Sequence, residues 1–193
     1  MRDMLDGFGY QKTENINTEW NAGIRTRLFN HTPAGAAFYA STMACMLDAG
    51  IEHAFQYCGD IHPGLGLHNR ETGEPMICGY AFQAWKKLIQ APLRVAATGS
   101  DKNGYNVVAG KDPASEKVRI LISDYQSEQN SFKLNVANLP WEEDTNFQVT
   151  RFLLDGEHNL TAVEEFSEKG RDLQLERPFN AASVCMIEIN RKT

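Results

Sequence analysis

The pattern of hydrophobic and polar positions changes near residue 92. Before that point, segments with apolar residues at helical spacing alternate with short apolar runs that are typical of strands. After it, helical spacing is lost and short runs of alternating apolar and polar residues follow one another. The first part, residues 1–91, therefore predicts a parallel α/β arrangement, and the second part, residues 92–193, predicts an all-β domain.

The first part begins with a strand predicted over residues 14–20. Thr32 and Pro33 are typical of a helix start, with threonine as N-cap and proline at the first helical position. Gly50 is typical of a helix end, and the apolar run 51–58 then predicts a second, buried strand. The order is therefore strand, helix, strand.

A loop rich in glycine, proline and histidine covers residues 59–73, and Pro75 opens a second predicted helix. Two parallel strands leave most of their apolar surface in water, so they do not form a free-standing sheet. We therefore expect residues 1–91 to be the last part of a barrel whose other strands are missing. The alternative is that they pack onto the second part.

The second part contains seven short alternating runs separated by turn signals such as Asn103-Gly104 and Asp155-Gly156. Strands at this spacing predict an antiparallel β-sandwich. The runs are Leu93–Thr98, Tyr105–Ala109, Val118–Ser123, Phe132–Val136, Phe147–Leu154, Leu173–Glu176 and Ser183–Ile189.

Composition and charge exclude several classes of partner. The net charge of −6 and the lack of a Lys/Arg stripe argue against nucleic acid. The longest apolar stretch, Ala34–Leu47, is too short to span a membrane. No signal peptide is visible, which leaves the compartment unknown: cytoplasmic, or secreted if the natural N-terminus is absent.

The cysteines predict packing rather than metal binding. Cys45, Cys58, Cys78 and Cys185 are far apart in the chain and form no CxxC pair, so a zinc site is not expected. Each lies in an apolar stretch, and we expect all four to be buried free thiols.

The candidate chemistry begins with Glu19, a carboxylate at the end of the first predicted strand, flanked by Trp20 and Asn21. Asp60 follows the second strand and could share one rim with Glu19. Glu14 and Glu52 lie near strand starts, away from that rim.

Three histidines, His31, His62 and His68, lie in loops that could line the same mouth. Their spacing matches no metal-ligand set. They could hydrogen-bond to sugar hydroxyls or be ordinary loop residues.

Thr18-Glu19-Trp20-Asn21 resembles the nucleophile motif at the end of barrel strand seven in glycoside hydrolase family 39, the β-xylosidase and α-L-iduronidase group. The resemblance continues through Ala54-Phe55-Gln56-Tyr57, which corresponds to strand eight, and through residues 74–88, which are similar to the final barrel helix. It implies the last two βα units of a (β/α)8 TIM barrel followed by an antiparallel β-sandwich.

The resemblance also implies an activity and a set of residues. The chain would be a fragment of a retaining glycosidase that acts on β-linked sugars such as xylosides, with a carbohydrate as its partner and no metal or organic cofactor. Glu19 would be the nucleophile, because such enzymes use two carboxylates and one attacks the anomeric carbon. The expected substrate-binding residues are Trp20, Asn21, Tyr57, Asp60 and His62.

Two departures from the family pattern matter. The family's acid/base glutamate lies in an Asn-Glu-Pro motif, which is absent from these 193 residues, and Gln56-Tyr57 stands where the family tends to carry a tryptophan. We therefore expect the chain alone to be inactive unless a missing barrel segment or a homo-oligomer completes it. The alternatives are a non-catalytic carbohydrate-binding or structural β-sandwich module, and a pseudo-enzyme that holds sugar without cleaving it.

Overall fold

The computed structural model describes residues 2–22, 29–60, 64–114 and 116–192. The first part of the chain folds into alternating helices and strands, and the rest folds into strands. The elements are α1 (Arg2–Gly7), β1 (Ile16–Trp20), α2 (Pro33–Asp48), β2 (His53–Gln56), α3 (Ile77–Leu88), β3 (Leu93–Val95), β4 (Tyr105–Asp112), β5 (Lys117–Asp124), β6 (Ser131–Val136), β7 (Asn146–Leu154), β8 (Asn159–Lys169), β9 (Leu173–Pro178) and β10 (Ser183–Arg191).

Helix α2 begins and ends where its end signals predict. The Thr32 hydroxyl accepts a hydrogen bond from the Gly35 backbone N–H at 3.1 Å, and Pro33 occupies the first turn. Ala49 caps the other end and Gly50 follows at φ +66°, a left-handed conformation that glycine adopts without a steric penalty. These local signals confirm the predicted helix.

Helix α3 begins at Ile77, two residues after the predicted start at Pro75. Its Gly79 lies against the Leu67 carbonyl, where an added Cβ would stand 2.6 Å from the oxygen. One face of the helix, with Ala81, Ala84 and Leu88, is buried. Helix α1, at the start of the chain, was not predicted.

Strands β1 and β2 pair in parallel, as the order strand, helix, strand requires. Among the described residues each pairs only with the other, so both outer edges are open. The pair is also poorly covered, because Ile16 is 46% exposed and Phe55 is 59% exposed.

The remaining strands form two antiparallel sheets. A six-stranded sheet has the order β3-β4-β5-β10-β7-β8, and β6 and β9 form a separate two-stranded sheet. All seven predicted runs are strands. Strand β8 was missed because it is an edge strand in which Glu164, Glu165 and other polar residues interrupt the alternation, with Leu160 its one buried residue.

Each face of the six-stranded sheet is covered differently. Side chains that alternate along β5 and β10 point to opposite faces: Ile120, Ile122 and Ile187 meet β6, β9 and Trp141 in one cluster of buried residues, the inner cluster. Leu121 and Met186 point the other way, into a helix-side cluster formed with α2 and α3. The two parts of the chain therefore share a core.

The cysteines divide between these environments and the surface. Cys78 and Cys185 are buried, and burial raises the pKa of their thiols to about 11 and about 12. Cys58 is half-buried, and Cys45 is exposed. The expectation of a buried thiol is wrong for Cys45, which is exposed although its thiol donates to Asn106 Oδ1 on β4 at 3.9 Å.

A buried charged cluster fastens the end of α3 to the sheet. Arg119 on β5 donates to the Lys87 carbonyl at 2.7 Å and to the Gln90 side chain at 2.5 Å, and its Nε lies 3.6 Å from Glu188. Lys87 bonds the same Glu188 carboxylate at 3.0 Å. The Lys87 carbonyl to which Arg119 donates belongs to the last turn of α3 and also accepts from the Gln90 N–H at 3.2 Å.

Replacing Arg119 should therefore destabilise the protein strongly. We expect Arg119→Ala to lower the free energy of unfolding by about 2 kcal/mol, because it removes two charge-assisted hydrogen bonds and one of the two cations beside the largely buried Glu188 carboxylate. Urea denaturation measures the loss. Arg94→Ala is the matched control: it breaks an ion pair with Asp48 whose side chains are 49% and 52% exposed, and it should cost about 1 kcal/mol or less. Equal losses in the two variants would contradict a special contribution of Arg119 to stability.

Candidate active site

Glu19 lies at an irregular point near the carboxyl end of β1. The pairing runs Asn17 to Ala54 and then Trp20 to Gln56, so Thr18 and Glu19 together span the step that Phe55 alone spans in β2. This is a β-bulge, which re-aims the side chains it contains and is common next to active sites. Thr18 and Glu19 are both exposed as a result.

The carboxyl ends of β1 and β2 lie side by side. The Tyr57 N–H donates to the Trp20 carbonyl at 3.0 Å, which extends the parallel pairing to the point where both strands end. Among the described residues the Glu19 carboxylate has no hydrogen bond or ion pair. The structure thus presents Glu19 to solvent at the edge where the loops after both strands emerge.

Asn21 ties these two loops together. Its Oδ1 accepts hydrogen bonds from the Ala22 N–H at 2.6 Å, from the Tyr39 hydroxyl at 2.7 Å and from Asn30 Nδ2 at 3.0 Å. Its Nδ2 donates to the Tyr57 carbonyl. Both ends of the amide are therefore engaged within the protein.

Tyr39 on α2 stands at the centre of this network. It is fully buried, donates to Asn21, and accepts from Gln56 Nε2 at 3.3 Å. Asn30, also fully buried, extends the network by donating to the Gly64 carbonyl at 3.0 Å. Asn21, Asn30, Tyr39 and Gln56 form what we term the rim network.

The Trp20 indole packs against the rim network. Its ring lies 5.3 Å from that of Tyr39 and is stacked at 6.2 Å on that of Phe82. It is half-buried in the helix-side cluster. Tyr57, by contrast, is 47% exposed.

The rim network contains polar atoms without a partner. Six buried side-chain nitrogen or oxygen atoms in the described part of the chain lack a hydrogen bond. Two belong to the rim network, Asn30 Oδ1 and Gln56 Oε1, and two belong to chain neighbours of its members, Trp20 Nε1 and His31 Nε2. Buried polar groups are normally satisfied. This concentration marks the carboxyl end of the β1–β2 pair as chemically unusual.

The other candidates lie around the same loops. Asp60 is exposed, and its carbonyl accepts from the Leu67 N–H at 3.1 Å. His68 is exposed and bonds the Gly59 carbonyl at 3.2 Å, which braces the loop after β2. His62 lies outside the described residues.

Glu52 has a local role at the opposite end of the strands. Its carboxylate accepts from the Asn15 N–H at 2.6 Å and lies 3.7 Å from Arg2 on α1. The hydrogen bond from Asn15, with the charge of Arg2 adding to it, lowers the pKa of Glu52. Glu14 is exposed just before β1.

Sequence reasoning missed Tyr39 and Asn30 as members of the site. Tyr39 matched the apolar face of α2, and Asn30 lay in a loop before it. A buried tyrosine hydroxyl needs a hydrogen-bond partner, but its partners come from three segments that only the fold brings together.

Two further properties concern the described residues alone. They contain no group of three or more His, Cys, Asp or Glu side chains placed to hold a metal ion. None of their helices is both long enough and apolar enough to cross a membrane.

No protein-family model matches the chain. No curated protein sequence matches it either.

Solved structures of glycoside hydrolases share its fold. A glucosidase from Croceicoccus marinus is 24% identical with a TM-score of 0.84, and the match covers 100% of this chain and 49% of that one. A family 39 enzyme from Xanthomonas axonopodis pv. citri is 11% identical with a TM-score of 0.72, covering 98% of this chain and 47% of that one.

A family 30 endoxylanase from Clostridium papyrosolvens C71 is 15% identical with a TM-score of 0.69, covering 97% of this chain and 44% of that one. The chain thus spans about half the length of each of these structures. Its fold is that of part of a glycoside hydrolase.

The rim network makes a prediction about alkaline pH. Burial raises the pKa of Tyr39 to about 12, whereas an unfolded tyrosine ionises near 10. The folded state therefore favours the protonated phenol: this contribution to stability is complete below about pH 10 and is lost as the pH rises towards about 12. Tyr39→Phe should flatten the fall in the free energy of unfolding over this range. It should also cost about 1 kcal/mol at pH 7 through the lost hydrogen bonds.

Urea denaturation at pH 7 and at several values from pH 9 to 11 measures both effects. Tyr10→Phe is the matched control, since Tyr10 is 59% exposed, and it should follow the unsubstituted protein at every pH. A pH profile of Tyr39→Phe identical to that of the unsubstituted protein would argue against a contribution of the Tyr39 hydroxyl to the pH dependence of stability.

Proposed function

We propose that the chain is the C-terminal portion of a retaining glycoside hydrolase of the family 39 type, acting on β-linked sugars such as xylosides. Residues 1–91 are the last two βα units of a (β/α)8 barrel, and residues 92–193 are a β-sandwich beside it. Glu19 is the nucleophile. A second polypeptide segment supplies the other barrel strands and the acid/base glutamate.

The observation that carries the proposal is the position of Glu19 in a chain whose whole length matches glycosidase structures. The carboxylate lies in a bulge near the carboxyl end of β1, beside the carboxyl end of its parallel neighbour. In (β/α)8 barrels the chemistry takes place at that end of the strands. Glu14 and Glu52, at the other end, have no comparable position.

The exposed side chains and unpaired edges of the β1–β2 pair support the proposal that further barrel strands lie beside it. Parallel strands are normally buried on both faces, yet Ile16 and Phe55 are largely exposed and both outer edges are unpaired among the described residues. The matched structures are about twice as long as the chain. Further barrel strands would pair with both edges and cover these side chains.

The chemistry needs a second carboxylate about 5–5.5 Å from Glu19 to protonate the leaving oxygen. Glu19 would attack the anomeric carbon and form a glycosyl-enzyme ester, which water then hydrolyses. Since the Asn-Glu-Pro motif is absent, these residues alone supply half of the pair.

The other candidate residues have distinct roles in the proposal. Tyr57, exposed at the same end as Glu19, stacks on the sugar, and Asp60 and His62 bind its hydroxyls. Asn21 and Trp20 act by positioning, because the Asn21 amide is engaged at both ends and the Trp20 ring packs on Tyr39.

A structural role for the second part has its own support. Helices α2 and α3 pack on the six-stranded sheet through the helix-side cluster and through the hydrogen bonds of Arg119 to the end of α3. In the alternative function, a non-catalytic carbohydrate-binding or structural module, this sheet would support the helices and Glu19 would have no catalytic role.

The proposal predicts that the chain gains activity only when the barrel is completed. The 193 residues alone should not hydrolyse 4-nitrophenyl β-xyloside or β-glucoside. A chimera in which they replace the matched part of the Croceicoccus marinus glucosidase should release nitrophenol, measured by absorbance. Glu19→Ala in that chimera should reduce kcat/KM by about a thousandfold or more. Added azide, a small external nucleophile, should partly restore turnover.

Glu14→Ala is the matched control, because it removes an exposed carboxylate at the wrong end of β1 and should leave kcat/KM unchanged. Turnover by the unassisted chain would refute the incomplete barrel. A folded, active chimera whose activity is insensitive to Glu19→Ala would refute the assignment of Glu19 as the nucleophile.

A further inference from the structure

A cleft of about 570 Å³ lies at the end of β7, on the inner side of the six-stranded sheet. The turn between β7 and β8, residues 155–157, lines one part of it, and the loop between β9 and β10, residues 178–183, lines another. Arg151 and Leu153 of β7 and Pro33 of α2 complete the lining. The cleft therefore lies where the second part of the chain meets the start of α2.

This position is near the end of the β1–β2 pair that carries Glu19. Helix α2 connects the two parallel strands, so its first turn lies at the carboxyl end of β1. Asn30 of the rim network precedes Pro33 by three residues, which span at most ~11 Å of chain. A Cβ added to Gly156 would lie 3.9 Å from Pro33 Cγ, so the β7–β8 turn packs beside the start of α2.

Arg151 is held by the protein at one end of its guanidinium only. Its Nε donates to the Glu164 carboxylate at 3.0 Å, and Arg177 Nε donates to both oxygens of the same carboxylate at 2.8 Å. The Arg151 side chain is 13% exposed. Its two Nη atoms have no oxygen acceptor among the described residues, so these donors remain available to a ligand in the cleft.

Asp155 is held in a similar way. Its Oδ1 accepts from the Glu157 N–H at 2.8 Å and from the His158 N–H at 2.9 Å, and it bonds His158 Nδ1 at 2.9 Å. Burial alone would raise the pKa of this carboxyl, but the hydrogen bonds from Glu157 and His158 outweigh burial and lower the pKa. Within the described part of the chain Oδ2 has no hydrogen bond, which leaves an acceptor in the cleft.

These groups indicate the chemical class of the ligand. Arg151, Leu153 and Asp155 are alternate residues of β7 and its turn, so the donor and the acceptor stand roughly 13 Å apart along one face, and they do not pair with each other. An anion would be repelled by Asp155 and the exposed Glu157, and a cation by Arg151. Hydroxyl groups both donate and accept hydrogen bonds, and the exposed Asn180 amide does the same. An elongated polyhydroxy compound therefore suits the cleft.

We infer that the cleft binds sugar rings of a β-linked polysaccharide away from the bond that Glu19 would attack, with Arg151 donating to ring hydroxyls and Asp155 accepting from them. Leu153 and Pro33 supply the apolar wall that ligand sites combine with a few placed polar groups. The inference rests on the proposed function and deepens it, because it makes the substrate a polymer instead of a short xyloside.

Titration of the 193-residue chain with xylohexaose and with cellohexaose, followed by NMR of backbone amides, tests this. We expect at least one hexasaccharide to shift the amides of residues 155–157 and 180–182. It should bind about tenfold or more tightly than xylose or glucose, because only a longer ligand reaches Arg151 and Asp155 together.

Two variants test the assigned contacts. Asp155→Asn keeps the oxygen that the turn uses and replaces the free one by an NH2 group, and it should weaken hexasaccharide binding about tenfold. Asn180→Ala removes an exposed amide and should weaken it about threefold. Asp101→Asn is the matched control and should leave binding unchanged, since Asp101 Oδ1 accepts from the Asn103 and Tyr105 N–H groups at 2.7 and 3.0 Å in a turn outside the cleft.

Four results would overturn the inference: neither hexasaccharide shifts the cleft amides, the monosaccharides bind equally well, acetate alone produces the same shifts, or both variants bind like the unsubstituted chain. Shifts confined to residues 19–21 and 57 would overturn it too, since they would place the sugar at the rim only. Binding is measured without turnover. It can therefore fail while the chimera keeps its Glu19-dependent activity, or succeed while the chimera is inactive, and the two proposals are tested separately.

Discussion

The close packing of helices α2 and α3 on one face of the six-stranded sheet positions the rest of the molecule. Ala37, Ala40, Ala81 and Ala84 are fully buried in that contact. Small side chains let the helix backbones approach the sheet, and interiors packed at this density leave little freedom to shift. Because α2 connects β1 to β2, its placement on the sheet also determines where the parallel pair and its carboxyl end lie.

The rim network carries that placement to the candidate site. Tyr39 projects from α2 and reaches Asn21 after β1 and Gln56 on β2, so one buried hydroxyl links the supporting helix to both strands. The site residues therefore fall into two groups. Asn21 and Trp20 face the protein and hold the loops, whereas Glu19 and Tyr57 are left exposed at the same end. A site needs both kinds, since a reactive group is useful only when its support holds it in position.

The β1–β2 pair combines open strand edges with exposed apolar side chains. At the β1–β2 pair, strand edges are open and Ile16 and Phe55 face solvent. Unpaired backbone edges next to exposed apolar surface attract other strands, and this pair lies in a chain that covers about half of the structures it matches.

Local signals in the sequence determined the elements and their order. Thr32, Pro33 and Gly50 bound α2 because capping and left-handed turns depend on neighbouring residues only, and alternation identified seven of the later strands. The same reasoning missed β8, an edge strand whose polar and charged residues interrupt the alternation. It also predicted a buried thiol for Cys45, which is exposed although it lies in an apolar stretch. The likeness of Thr18-Glu19-Trp20-Asn21 to a glycosidase motif likewise needed only consecutive residues.

The tertiary structure decided what faces what. Residues far apart in the chain decide that α2 and α3 pack on the sheet and which strand edges stay open. They also decide that Asn21 bonds Tyr39 rather than facing solvent. Such contacts follow from the packing of whole surfaces against one another. No run of neighbouring residues encodes them.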